Sequence, residues 1–554
     1  MARTLSFLVL ASLLLWARCS PVSAEHSRGR ENLIIQAGQV IDGTGRAPMR
    51  DAVILVEGEQ IKAIGRSGDI DIPPGAHILD ARGKSVIPGL IDMHVHYQDW
   101  MELFFLRHGV TTVRDVGNNL DMILTRRQWS QKTGAKQPRI FACGPLIDGP
   151  NPRWGAWISR AVATPDEART VARELLDRRV DCLKAYEQLT PPQIQALVQE
   201  ATPRGVPVTA HLRETSAVDA VGLGVKAFEH ASGINYLTAT RQELQALAQL
   251  VTSKGVFLVP TLVVNEQLSR LLSPDIQQEP LLPYMPHQFG WWEAPYGVGQ
   301  WTETHSARQR DILARKQAWL VEVAKIGGRI VAGSDTPNPY VLPGTSLLRE
   351  LELLVAAGLT PLQAITTATQ TAAELLGQEA RLGTLTAGKV ADLVILGGNP
   401  VEDIRQLRQV EQVLRDGQVV WPRPHGALTP TAVAAPGSDV PLPASLEVIP
   451  PEPGIGPDMA FFSGAWSGLW YGILEHRLVV EDIDPPTARV IYAVGAGVGR
   501  PNWTRVRGEI VEGSLTLILS RPATVTYRRQ PDGTLEATYE WAGGRSRARM
   551  TRMS

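Results

Sequence analysis

Eight short apolar runs recur through the middle of this chain, and they constrain its fold more than any other feature. They cover residues 89–96, 110–116, 139–143, 180–185, 206–211, 225–230, 256–260 and 329–334. Stretches with apolar residues at three- and four-residue spacing lie between most of them, at 165–179, 191–202, 242–253 and 308–326, and read as helices. Strands alternating with helices argue for a parallel sheet, and eight such units argue for an α/β (β/α)8 barrel.

The first run, Gly89-Leu90-Ile91-Asp92-Met93-His94-Val95-His96, reads as a strand ending in two histidines one residue apart. Side chains alternate along a strand, so His94 and His96 point to the same side, where two neutral imidazoles can share a metal ion. His-x-His alone is a weak signal, more often met by ordinary surface or core histidines. However, Lys184, His211, His230 and Asp335 also fall at or just past the ends of strands four, five, six and eight. In this architecture catalytic residues come from those ends. Taken singly, each has a plainer reading. Lys184 could pair with Asp181 or Glu187, Asp335 could cap the loop after Gly333-Ser334, and His211 and His230 could be satisfied polar residues.

The flanking regions divide the chain further. Residues 1–24 carry Arg3, an apolar run and Val22-Ser23-Ala24, the pattern of a cleaved secretory signal peptide, which predicts an exported protein. The run is too short to span a membrane well, and Arg18 makes Cys19 a poor lipid-anchor site. With that segment removed, Cys143 and Cys182 remain, both in apolar strand-like runs, and read as buried thiols. Residues 25–88 hold short strand patterns at 32–36, 52–57, 60–64 and 77–80, and 379–424 returns to strand pattern; together they predict a small β-sandwich beside a barrel at 89–378. Residues 425–457 are rich in proline and alanine and read as a semi-rigid linker. Residues 458–554 show alternating runs with glycine turns, a separate all-β barrel or sandwich whose tryptophans suit a core or a ligand platform. With 55 basic and 56 acidic residues and no basic stripe, nothing points to nucleic acid.

The motifs PGLIDMHVH, DCLKAY, TAHL, FEHAS and AGSDTP, followed by LTPLQAITTATQTAAELLG and GTLTAGKVADLVIL, resemble the amidohydrolase superfamily. The resemblance covers roughly residues 32–424 and is nearest to the subgroup related to imidazolonepropionase and metal-dependent dipeptidases of the Xaa-Pro type. It implies a centre of two divalent ions in the barrel mouth, for which zinc suits the mixed nitrogen and oxygen ligands best. By motif, His94 and His96 would hold the more buried ion, His211 and His230 the second, and a carboxylated Lys184 would bridge them. Asp335 would bind the first ion and move protons. The implied chemistry is hydrolysis, with water made acidic and the scissile carbonyl polarised by metal. Arg213, just past His211, could bind a substrate carboxylate through its planar fork or form a surface ion pair. Tyr186 and Tyr236 could touch substrate or pack. The long segment 265–305, with Tyr284, Trp291, Trp292, Tyr296 and Trp301, could form an aromatic lid.

Two readings follow. One is an exported metal-dependent amidohydrolase acting on a small-molecule or peptide substrate, dipeptides or N-acyl amino acids first, with a lactam or ester as alternative. The other is an inactive scaffold whose C-terminal β-domain binds a glycan, peptide or surface. A homo-oligomer is compatible with either.

Overall fold

The computed structural model describes residues 32–553 apart from 133, 283–284, 286–291, 294, 423–439, 444–445, 471–473, 496–501, 520–522 and 542–543. The expected signal peptide, Cys19, Tyr284, Trp291 and, of the expected linker, residues 425–439 and 444–445 lie outside the described residues. No helix among the described residues is long and apolar enough to cross a membrane.

Strands β1 (Asn32–Val40), β2 (Met49–Glu57), β3 (Gln60–Arg66) and β4 (His77–Pro88) form one side of a seven-stranded sheet. The barrel follows at once. β5 (Leu90–Val95), β6 (Val110–Asp115) and β7 (Arg139–Ala142) pair in parallel. β8 (Leu146–Asp148) and β9 (Ser159–Ala161) form a short extension that apolar patterning does not announce. β10 (Leu183–Ala185), β11 (Val208–Ala210), β12 (Ala227–Glu229), β13 (Phe257–Val259) and β14 (Arg329–Ile330) then pair in parallel, one after the next. Backbone bonds close the ring. Asp181 N–H donates to the Ala142 carbonyl at 2.8 Å, and His96 N–H donates to the Thr336 carbonyl at 2.8 Å. Helices such as Pro165–Asp177, Pro191–Ala201 and Arg241–Ser253 lie between strands. Thr164 and Thr240 accept the N–H of the third residue on and so satisfy free donors at their helix starts. β5, β6, β10, β11, β12 and β13 are buried along their whole length, as a sheet covered on both faces requires.

Cys143 and Cys182 differ from the expectation of free thiols: they form a disulfide with Cα atoms 4.4 Å apart. The apolar patterning was correct, and both are buried beside Val116. What sequence spacing does not reveal is that β7 and the start of β10 become neighbours around the ring.

After the barrel, β15 (Leu393–Leu396), β16 (Val410–Arg415) and β17 (Gln418–Trp421) return to the first sheet, with β15 antiparallel to β4. Asp416-Gly417 joins β16 to β17 with φ of 51° and 75°, the left-handed pair that a two-residue hairpin turn needs. The sandwich-like layer is therefore built from both flanks, as the sequence suggests, around Ile35, Ile54, Val86, Leu393 and Leu414.

The C-terminal part is a closed antiparallel barrel of eight strands: β18 (Gly464–Trp470), β19 (Leu474–Asp484), β20 (Thr487–Val494), β21 (Asn502–Val511), β22 (Ser514–Ile518), β23 (Ala523–Arg529), β24 (Leu535–Trp541) and β25 (Gly544–Arg552). Pairing of β18 with β25 completes it, and Trp466, Leu478, Val490, Leu515, Val525 and Met550 fill it. Its outer face explains a second correction. Residues 440–443 and 446–449, expected to be linker, lie on that face. Val440, Leu446 and Val448 pack with Val479, Ile491 and Trp503, and Ile449 N–H donates to the Glu481 carbonyl at 2.7 Å.

The same face docks on the parallel barrel. Arg507 donates through Nε and Nη2 to the two oxygens of Glu102 at 3.0 and 2.8 Å, and its N–H donates to Asp99 at 2.8 Å. Asp99 in turn accepts a two-point contact from Arg126. The β-domain thus has its own core but packs on the barrel through buried charge rather than standing apart from it.

Candidate active site

The ends of β5, β10, β11 and β12, and the loop after β14, converge on one cavity of about 550 Å³. His94 lies in β5 and His96 directly after it; His211 and His230 each sit one residue past β11 and β12; Lys184 is the middle residue of β10. Asp335 follows β14 and is held to the first strand, its N–H donating to the His94 carbonyl at 2.7 Å. Asp335 and His230 both have left-handed backbones, φ 62° and 57°, a conformation that costs energy in most residues and gathers at functional sites. Gly333 is required by space: a Cβ there would lie 2.8 Å from the His94 Cβ.

Asp335 is the hub. Its Oδ1 is 3.3 Å from His94 Nε2 and 3.4 Å from His96 Nε2, and its Oδ2 is 3.5 Å from His230 Nδ1. The His94 and His230 rings are 4.6 Å apart, and so are the His230 and His211 rings. Donor atoms of His94, His230 and Asp335 all lie within 4.8 Å of one another.

Burial alone would raise the Asp335 carboxyl, but its interactions with the surrounding histidines, His94 and His230 foremost, outweigh burial and hold the group well below the usual carboxylate range. Burial, with the Lys184 charge nearby, pushes His211 down to about 3. His230 is pushed down in the same way. Neutral imidazole is the form that ligates metal. Lys184 is lowered to about 8 by burial, against the pull of Glu229.

Several atoms test whether the site fits divalent metal. Lys184 Nζ, His211 Nδ1 and Asp335 Oδ1 are buried without a hydrogen-bond partner among the described residues, a costly state for polar groups. Imidazoles, a carboxylate and an amine able to become an oxygen ligand form the mixed donor set that suits zinc and its neighbours. Moreover, His94 Nδ1 is 2.7 Å from Glu229 Oε2, which leaves Nε2 directed at Asp335. A carboxylate behind a histidine is how ligating imidazoles are commonly oriented. The residues fit the group.

Residues 85–420 match the sequence profile of the amidohydrolase family. The chain belongs to the amidohydrolase family. Imidazolonepropionase of Symbiobacterium thermophilum is 25% identical over 412 residues, which are 66% of this chain and 90% of that protein. A putative prolidase from Bifidobacterium longum has a solved structure with 27% identity and a TM-score of 0.59, covering 71% of this chain and 95% of that one. A Xaa-Pro dipeptidase with bound methionine superposes with a TM-score of 0.57 at 24% identity, covering 70% and 99%, a likeness of fold. As an amidohydrolase, this protein is a hydrolase of carbon–nitrogen bonds, and its family generally uses divalent metal.

All six metal-site candidates, His94, His96, Lys184, His211, His230 and Asp335, line the one cavity. The substrate candidates divide. Tyr186 lines it, with its hydroxyl accepting from Trp154 Nε1 at 2.7 Å. Arg213 does not line it. Its side chain is 75% exposed and pairs with Glu187 at 3.0 Å, the surface ion pair that was the plainer reading. Tyr236 is also outside: it is buried, its hydroxyl donates to the Ala231 carbonyl, and its ring packs on Trp319. From the expected aromatic lid, Tyr296 reaches the cavity and is bonded to Asn338, whereas Trp292 packs on Tyr340. Glu229 was missed, although it stands beside His230 inside a quoted motif. The only signal was strand alternation, which turns it away from a histidine neighbour and into the barrel interior.

Proposed function

We propose that this protein is an exported metal-dependent amidohydrolase that cleaves dipeptides or N-acyl amino acids. The observation that carries the reading is Asp335, within 3.5 Å of three imidazoles, in one cavity with a buried lysine nitrogen that has no hydrogen-bond partner among the described residues. His94, His96 and Asp335 would hold one divalent ion and His211 and His230 a second, zinc being the best match to these donors. Lys184 would bridge as a carbamate: its neutral amine, accessible because burial lowers its pKa to about 8, forms a bond to the carbon of carbon dioxide and releases a proton. Bound there, divalent metal supplies Lewis acidity that lowers the pKa of water and withdraws charge from the scissile carbonyl.

The chain's own residues do the rest. Asp335, kept ionised, accepts the proton of the attacking water and passes it to the leaving nitrogen. Glu229, through Nδ1, fixes the orientation of His94. Tyr186, Trp154 and Tyr296 wall the cavity and exclude water from part of it. Export is supported by the leader pattern at 1–24 and by the Cys143–Cys182 disulfide, because such bonds persist in oxidising compartments. A second reading, hydrolysis of a cyclic amide, is favoured by the likeness to imidazolonepropionase along 90% of that protein.

The test is a screen of the metal-loaded protein against dipeptides, N-acyl amino acids and lactams, with amine release as the readout. Turnover of the first two classes above the lactams is expected. Turnover confined to lactams would move the assignment to the second reading.

A further inference from the structure

The cavity that holds the histidines continues beyond the catalytic barrel. Its far wall is the seam with the C-terminal barrel, where Thr504, Arg505, Val506 and Ile518 contribute. Trp100, Met122, Trp157 and Ile158 line it from the catalytic side. At about 550 Å³ the space falls among clefts that enclose drug-sized ligands, and it exceeds what a dipeptide of two small residues fills. Ile518 ends β22 and is 37% exposed, although its carbonyl accepts from Arg126 Nη2 at 3.4 Å. The two arginines at the seam are each held by a carboxylate: Arg126 bonds Asp99 at two points, with its Nη1 left without a hydrogen-bond partner among the described residues, and Arg505 bonds Glu481 at two points. A wall made mostly of aromatic and aliphatic side chains, with Arg126 and Arg505 each ion-paired to a carboxylate, selects for apolar matter rather than for a free ion.

We propose that this seam is a substrate subsite for a bulky apolar acyl group, formed jointly by the two barrels, with the scissile amide at the histidines. The proposal rests on the amide-hydrolase reading and adds the class of group that the enzyme accepts. It also gives the C-terminal barrel a role: it completes the specificity pocket. Ile518 and Met122 face the space from opposite barrels and set how long an acyl chain it takes.

The experiment compares N-acetyl-L-proline with N-octanoyl-L-proline on the metal-loaded full chain. The wild type should favour the octanoyl compound by about tenfold or more in kcat/KM, because the added methylenes leave water. Ile518→Trp and Met122→Trp, which fill the seam from either side, should each cut that ratio to roughly threefold or less. Two variants on different barrels guard against misfolding of one. Titration calorimetry with the same compounds reads the subsite without turnover. If the octanoyl compound binds more tightly and both variants remove the difference, but neither compound is hydrolysed, the subsite stands and the N-acyl substrate reading falls. If the wild type binds and turns over both compounds alike, or binds neither, or if both variants keep the wild-type ratio, the subsite is overturned.

Discussion

The two oxygens of Glu229 face different partners. Oε2 meets His94 Nδ1, while Oε1 accepts from Arg114 at 2.6 Å and from Thr209. Arg114 holds Glu229 ionised, well below the usual range despite burial, so the carboxylate stays available to His94. Glu229→Gln removes the charge while keeping the shape. It should weaken metal binding by roughly 10–100-fold, as losses of such supporting groups do, and a competitive chelator titration measures it. Unchanged affinity would mean that His94 needs no orientation. At this scale the sequence was most legible for ligand types at strand ends, because a strand end fixes where a side chain points. It was least legible for Arg213, whose place two residues past His211 says nothing of which way an exposed arginine turns.

Helix Leu262–Ser269 starts beside the site, at Thr261, whose hydroxyl is 2.9 Å from His230 Nδ1. Thr261 has a left-handed backbone and gives no side-chain cap, so the first N–H groups need another acceptor. Glu350 supplies it from helix Thr345–Ala357, accepting from Leu262 and Val263 at 2.9 and 2.8 Å. Burial raises Glu350 to about 8, against the pull of those two N–H groups and of Lys316. A carboxyl whose folded pKa exceeds its unfolded value binds more protons when folded. Its contribution is therefore complete below the unfolded value near 4.5 and is lost as pH rises through about 8. The thermal midpoint of the wild type should fall relative to Glu350→Gln between pH 5 and 8. A difference that stays flat or grows with pH would show that Glu350 is ionised in the fold. Elements differ in how plainly they read. The barrel strands are apolar throughout and stand out. By contrast β25, GRSRARMTR, buries only Ser546, Ala548 and Met550 between outward arginines and was overlooked. β19 was also overlooked: Arg477, Glu481 and Asp482 are buried there because the outer face is covered, and that breaks the alternation a solvated face would give.

The whole molecule joins three bodies, two of which, the barrels, share one cavity, and buried ion pairs make the joint between these two. Tyr97, next to His96, donates to Glu102 at 3.0 Å, and Glu102 receives Arg507 from β21. Removing one partner of a buried pair leaves the other charge uncompensated, so Arg507→Met should cost about 3–5 kcal/mol. Denaturant unfolding measures it, and an effect under about 0.5 kcal/mol would place Arg507 with ordinary surface residues. This docking was not legible in the sequence. Proline content at 425–457 marks a boundary in the chain but not whether the parts beyond it separate in space. The motifs did locate the centre, because all six candidate residues reach the same cavity. The measurement that tests the account most directly is elemental analysis of the full chain purified without chelator. Six ligating positions of this kind predict close to two divalent ions per chain, with hydrolysis lost on their removal and regained on their return. No bound metal, or hydrolysis that survives complete stripping, would contradict it.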